Sequence, residues 1–414
     1  MPTNLSAEVR QYLIITANYW AFTLTDGALR MLVVLYFHQL GYPPLEIALL
    51  FLFYEIFGVV TNLVGGWLGA KIGLNKTMNI GLGLQIIALL MLAAPSAWLS
   101  VAWVMCAQAL SGIAKDLNKM SAKSAIKVLI PAHATGQLFK WVALLTGSKN
   151  ALKGVGFFLG GLLLTLLEFQ GAVLAMMAML TLCWLLSLTA LKRELGKAAA
   201  KPKFRDIFSK SRAINVLSAA RLCLFASRDI WFVVALPVYL SEHFGWSFWE
   251  VGGFLAVWII GYGIVQSSSP RLFKNQTHDD NRSSGFARIT AVWAAILALV
   301  PTGIAVGLLG TWHTQWILLA GLLLFAIVFA VNSALHSFLV VHYASSDGVS
   351  LDVGFYYMAN AMGRLTGTIL SGFIYQAYGL DACLWVATGF LLMTCIISLA
   401  LPQTNTDNTA TSLN

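Results

Sequence analysis

Twelve apolar runs, each about as long as a lipid bilayer is thick, leave this chain few choices of fold. A helix that crosses the hydrocarbon core needs about 20 mainly apolar residues. Such runs fall at 11–38, 45–69, 77–95, 99–127, 136–167, 170–191, 213–240, 247–269, 287–309, 314–343, 352–378 and 381–401. Lipid offers no partner to backbone N–H and C=O groups, so runs of this kind fold as helices that satisfy their own. The charge content agrees, because only 10% of the 414 residues are charged, against about 25% in a soluble domain. The net charge of +9 lies between or inside apolar runs, not on a polar domain, so it does not describe a nucleic-acid surface. The first nine residues place no positive charge before the apolar core, and no removable leader is expected. Five scattered cysteines form no CxxC and no His/Cys cluster, so neither a disulfide framework, a metal site nor a cofactor is expected.

The connections sort by charge. One set carries Lys71 and Lys76, then the region around Lys127 and Lys140, then Lys192–Arg212, then Arg271, Lys274, Arg282 and Arg288. The alternate set, from His38–Glu46 to Tyr378–Asp381, holds no lysine or arginine. The positive-inside rule then puts the basic links and both termini in the cytoplasm of a multi-pass protein, expected in a bacterial inner membrane. The expected division is a six-helix half over 1–191, a basic link over 192–212, a second six-helix half over 213–401 and a polar tail over 402–414.

The halves repeat. Asp26, Gly41 and Glu46 in the first correspond to Asp229, Gly245 and Glu250 in the second, and Lys153, Gly156 and Gly161 match Arg364, Gly367 and Gly372. Six-helix repeats are a transporter signature, with the binding site near mid-membrane between them. The paired glycines are expected as close helix contacts.

Charges inside the runs need a reason, because each costs roughly 2.5–3.5 kcal/mol at the bilayer centre on the insertion scale. Lys115, Lys119, Lys123 and Lys127 recur every four residues, as do Lys149 and Lys153; residues four apart share one helix face. The mid-run set is Asp26 and Arg30, Glu55, Lys115, Asp116 and Lys119, Lys149 and Lys153, Arg221, Arg228 and Asp229, and Arg364. Eight basic groups face four acidic ones, an excess suited to an anionic cargo. Arg30 and Arg228, one from each half, are read as a clasp on a phosphate. Lys115, Lys119, Lys149, Lys153 and Arg364 are read as holding the cargo's other anionic end, and Arg221, two turns nearer the cytoplasm, as a further substrate-binding residue or an entrance charge. Asp26, Glu55, Asp116 and Asp229 are candidates for ion pairs, Asp26 with Arg30 and Asp116 with Lys115 or Lys119, or for a coupling proton. Arg228 and Asp229, being adjacent, are not expected to pair, and Lys123 and Lys127 are expected to face solvent or lipid.

The loop GGWLGAKIGLNKT, 65–77, resembles the cytoplasmic motif of the major facilitator superfamily. Gly66, Leu68, Lys71, Gly73 and Lys76 fit it, and Ala70 stands where the family usually has aspartate. The resemblance implies an all-α membrane fold of twelve helices in two pseudo-symmetric halves. It implies a gating role for Gly66, Lys71, Gly73 and Lys76, and a cavity lined by the first, fourth, seventh and tenth helices. The runs SGIAKDLNKMSAKSAIK, TGSKNALKGVGFFLGG and KPKFRDIFSKSRAINVLSAARL are similar to the ArsJ type of organoarsenical efflux permease. That likeness implies export of 1-arseno-3-phosphoglycerate, arsenate resistance, and a functional link to the glyceraldehyde-3-phosphate dehydrogenase that makes the compound. The expected unit is a monomer in the bilayer with a small anion as its partner. Two rivals stay open: an importer or exchanger of organophosphates or carboxylates, separable by growth on the anion, and a proton-driven multidrug exporter, separable by resistance to lipophilic cations. A membrane enzyme lacks support, since no nucleophile–base pair, metal motif or phosphate loop is present.

Overall fold

The computed structural model describes residues 7–42, 50–129, 135–191, 195–198, 211–232, 234–246, 248–273, 286–310, 313–346 and 348–402. Every long element in it is a helix. We number the crossings α1 Ala7–Gln39, α2 Leu52–Ile72, α3 Leu74–Leu92 and α4 Val101–Leu129. The stretch Thr135–Ala190 holds α5 (135–167) and α6 (169–190), divided at Glu168, where φ is 58° and ψ is −178°. In the second half, α7 comprises Arg212–Phe232 and Ala235–Phe244, α8 is Phe248–Ser268, α9 Phe286–Leu308 and α10 Thr314–Tyr343. Val349–Leu399 holds α11 (349–378) and α12 (380–399), divided at Gly379, where φ is 79° and ψ is −175°.

Eight helical stretches are long and apolar enough to cross a membrane. Two of these are the kinked doubles. The remaining two crossings are α4, whose lysine stripe lowers its hydropathy, and α8, apolar apart from Glu250 near its start. The twelve-helix expectation is met, with shifted ends: α1 begins at Ala7 and α2 begins at Leu52. Pro131, Glu46, most of the basic link and nearly all of the polar tail lie outside the described residues.

The internal repeat is visible in the backbone. Glu168 and Gly379 carry nearly the same dihedral pair at equivalent places. Gly41 and Gly245, which follow α1 and α7, both take positive φ, 84° and 67°. A side chain at Gly156 would strike the Leu24 carbonyl of α1, and one at Gly367 would strike the Ala226 carbonyl of α7. Small residues let these helix pairs approach to backbone contact, the usual way helices associate in lipid.

We call the end bearing Lys71, Lys127 and Arg212 the basic face, and the other end the neutral face. The halves meet at the basic face. One apolar cluster joins the first half to Ile214 and Leu217 of α7, Phe338 of α10 and Val353 of α11, all on its basic side. The rest of the second half packs as a separate cluster that includes Trp231, Phe325 and Leu384 and no first-half residue. Phe139 of α5 stacks on Phe338 at 4.7 Å. Gly66 of α2 lies against Ser350 and Gly354 of α11, and the Ser350 hydroxyl donates to the Gly66 carbonyl at 2.8 Å. The bundle is thus closed at the basic face.

The 65–77 loop lies on that side. Gly73 turns at φ 96° between α2 and α3. Lys71 Nζ lies over the Trp67 ring at 4.4 Å. Ala70, in the place of aspartate, is fully buried, and its carbonyl accepts from the Ala198 amide at 2.9 Å.

Candidate functional site

Charged heads from both halves converge at mid-membrane. The centre is Glu55 of α2. Its Oε1 accepts from Arg30 Nη2 of α1 at 3.3 Å and from Arg364 Nη2 of α11 at 2.9 Å. Arg364 Nε reaches back to Asp229 Oδ2 of α7 at 3.3 Å, and Asp229 Oδ1 holds Arg228 at 2.6 Å. The chain Arg30–Glu55–Arg364–Asp229–Arg228 therefore crosses from one half to the other. Arg364, Glu55 and Arg30 keep 31%, 27% and 26% of their side-chain surface open. These partly open side chains lie on the neutral-face side of the contacts that seal the basic end.

A second group adjoins it. Asp116 of α4, buried, holds Lys119 at 2.5 Å and lies 4.0 Å from Lys115. Lys115 Nζ sits over the Tyr54 ring at 3.7 Å, and the Tyr54 hydroxyl donates to Asp26 Oδ1 at 2.6 Å. The Arg30 guanidinium covers the same ring at 4.8 Å. Tyr54 thus joins α1, α2 and α4 by one aromatic face and one hydroxyl, attracting cations through its ring quadrupole while neutralising none.

Lys149 and Lys153 of α5 differ from the others. Among the described residues neither forms an ion pair or hydrogen bond. Lys153 lies within electrostatic reach of Arg30, Asp26, Lys149, Arg364 and Glu55, and Lys149 within reach of Lys119, Arg364, Lys115 and Asp26. They face the same chamber and raise its positive potential without adding a counter-charge.

Several expectations need correction. Asp26 and Arg30 do not pair with each other; Asp26 takes the tyrosine and Arg30 takes Glu55. Arg228 and Asp229 do pair, because the long arginine arm curls back along its own helix to reach the neighbouring carboxylate. Arg228 is therefore engaged, and it is Arg364 that shares a carboxylate with Arg30. Arg221 is sealed below the chamber: it is 3% exposed and donates to Asn360 Oδ1 at 2.8 Å and Ser333 Oγ at 3.3 Å. Lys123 faces neither solvent nor lipid but is 2% exposed and bonded to the Tyr357 hydroxyl of α11. Lys127 donates across the halves to the His342 carbonyl at 3.0 Å.

Sequence reasoning missed Tyr54 and Tyr357. Tyr54 adjoins Glu55, and a tyrosine next to a mid-membrane carboxylate was the available signal. For Tyr357 there was none. A separate cavity of about 590 Å³ near the neutral face, lined by Tyr239, Glu242, His243, Tyr375 and Asp381 among others, shares no residue with the chamber.

Comparison with known proteins fits this architecture. A family model described as Major Facilitator Superfamily matches residues 13–279. Among solved structures, the human organic anion transporter MFSD10 (TETRAN) superposes with a TM-score of 0.74 at 18% identity, over 96% of this chain and 100% of that one. A bacterial homologue of the iron transporter ferroportin, in an outward-facing state, superposes with a TM-score of 0.72 at 14% identity, over 95% and 99%. The E. coli fucose:proton symporter FucP gives 0.72 at 13% identity, over 96% and 100%. At such identities the likeness shows the fold alone. No match was found among curated protein sequences.

Proposed function

This chain belongs to the Major Facilitator Superfamily, and from that premise we propose that it exports a small organic anion carrying phosphate and arsenate. The specific cargo we propose is 1-arseno-3-phosphoglycerate, which the likeness of three stretches to the ArsJ-type permeases supports. The observation that carries the anion reading is the pair Lys149 and Lys153: two mid-membrane cations with no carboxylate partner among the described residues, beside arginines already sharing theirs. Fixed positive charge in a low-dielectric chamber draws anions and excludes cations.

In this mechanism Glu55 is a stand-in for cargo. An arriving phosphate or arsenate displaces its carboxylate from between Arg30 and Arg364, whose planar forks suit a tetrahedral oxyanion. One fork comes from each half, so the ligand links the halves. Lys149 and Lys153, with Lys115 and Lys119, take the arsenate end. Arg228 and Asp229 hold Arg364 in place. Released Glu55 is the site at which a proton, or an exchanged phosphate, couples the return step. With the basic face in the cytoplasm, the closed basic end makes this the state that discharges cargo outward. The transporter works as a monomer, fed by a dehydrogenase that esterifies arsenate, and its action confers arsenate resistance.

The test is uptake of 1-arseno-3-phosphoglycerate into everted membrane vesicles, with wild type and Arg364→Ala compared at equal folded protein. Uptake above empty vesicles that vanishes in the variant is expected. Uptake equal to empty vesicles would end the proposal, and full uptake by the variant would remove Arg364 from it.

A further inference from the structure

Below the chamber, toward the basic face, lies a second set of cations. The Tyr357 ring forms the floor between the two: Lys119 Nζ sits 4.6 Å from its centroid, and Lys123 Nζ sits 4.8 Å from it and hydrogen-bonds its hydroxyl. Lys119 and Lys123 are one helical turn apart on α4. Arg221 of α7 lies within electrostatic reach of Lys123. Both are sealed, and no described carboxylate pairs with either; Arg221 donates to the neutral acceptors Asn360 and Ser333, and its guanidinium lies over the Phe225 ring at 4.0 Å. Two basic groups sealed from water without a counter-ion are unfavourable as charges, and an anion that joins them restores both as cations.

An independent observation points the same way. His336 lies one turn along α10 from Ser333, is fully buried, and both of its ring nitrogens lack a hydrogen-bond partner. The Ser124 hydroxyl beside Lys123 and the Ser218 hydroxyl one turn from Arg221 are likewise buried and unpartnered. Native interiors satisfy such groups almost everywhere. Unpartnered buried polar groups on the same three helices that carry Lys123, Arg221 and Ser333, at the seam where the halves close, describe a site that is filled when the seam opens.

We infer that the basic-face seam holds a second anion-binding station, formed by Lys123, Arg221 and His336 beneath Tyr357, which takes a phosphate or carboxylate group when the halves part there. The inference rests on the anion-transport reading and deepens it. Cargo meets this station first, then passes Tyr357 as its charge moves from Lys123 to Lys119, one turn along the same stripe. On closing, the station empties and the two cations are left facing one another, which favours reopening once cargo has gone.

The full chain in nanodiscs, with its five cysteines replaced by serine and Ser218→Cys added, tests this; Ser124→Cys is the second reporter should the first fail to fold. Thiol labelling is timed with inorganic phosphate and with chloride at equal ionic strength. Phosphate should slow labelling about ten-fold when near saturation. Lys123→Gln should abolish that protection, and Lys140→Gln, at an exposed position of α5, should leave it. The station is overturned if the folded reporter never labels, if phosphate does not protect, or if it protects the Lys123→Gln protein equally. Vesicle uptake of cargo without phosphate protection would sink the station alone. Protection without uptake would sink the export reading alone.

Discussion

Glu55 sits between two arginines that belong to opposite halves, Arg30 at 3.3 Å and Arg364 at 2.9 Å. A carboxylate in that position competes with any oxyanion for the same donors. Glu55→Gln should therefore tighten equilibrium binding of 3-phosphoglycerate about ten-fold, the worth of one charge-assisted contact no longer contested; weaker binding would show that Glu55 organises the arginines and does not compete. Asp229 has the opposite role. It is buried and holds both Arg228 and Arg364, so Asp229→Asn should destabilise the fold by about 3 kcal/mol through cations left without a partner, seen as a lowered melting temperature in detergent. The twelve mid-run charges were legible in the sequence as residues, because charge inside an apolar run is conspicuous. Their pairing was not. Arg364 and Glu55 are 309 positions apart, and no spacing rule reaches that far. The Arg228–Asp229 pair was misjudged for another reason: helical geometry separates neighbouring Cβ atoms, but a long flexible arm can undo that separation.

Helix α4 shows how one stripe acquires different meanings along its length. Lys115 and Lys119 share Asp116 in the chamber, Lys123 is sealed under Tyr357, and Lys127 ties α4 to α10. The fourfold spacing announced a shared face, yet only the closure of the halves decides what that face meets, which is why Lys123 read as exposed. The seam between α2 and α11 depends on the absence of side chains: a Cβ at Gly66 would run into the Ser350 carbonyl and the Gly354 Cα. Gly66→Leu should push the halves apart at the basic face. Thiol labelling of Ser124→Cys in that background should then rise several-fold; an unchanged rate would show that the seam is not what holds this end shut.

On the scale of the whole molecule, the twelve apolar runs and the alternation of basic and neutral connections led to the fold, and the matched kinks at Glu168 and Gly379 show the same repeat in the backbone. What the runs could not indicate was the conformation, because opening and closing exchange contacts between helices without altering any helix. In the closed-basic-face state Lys149 and Lys153 of the first half stand near Arg364 of the second, and the account stands on that group taking an anion. The most direct measurement is equilibrium binding of radiolabelled 3-phosphoglycerate to the purified chain, beside Lys149→Gln/Lys153→Gln. Saturable binding that chloride does not displace, weakened at least about ten-fold in the double variant, is the expected result. Absence of saturable binding, or equal affinity in the folded double variant, would contradict it.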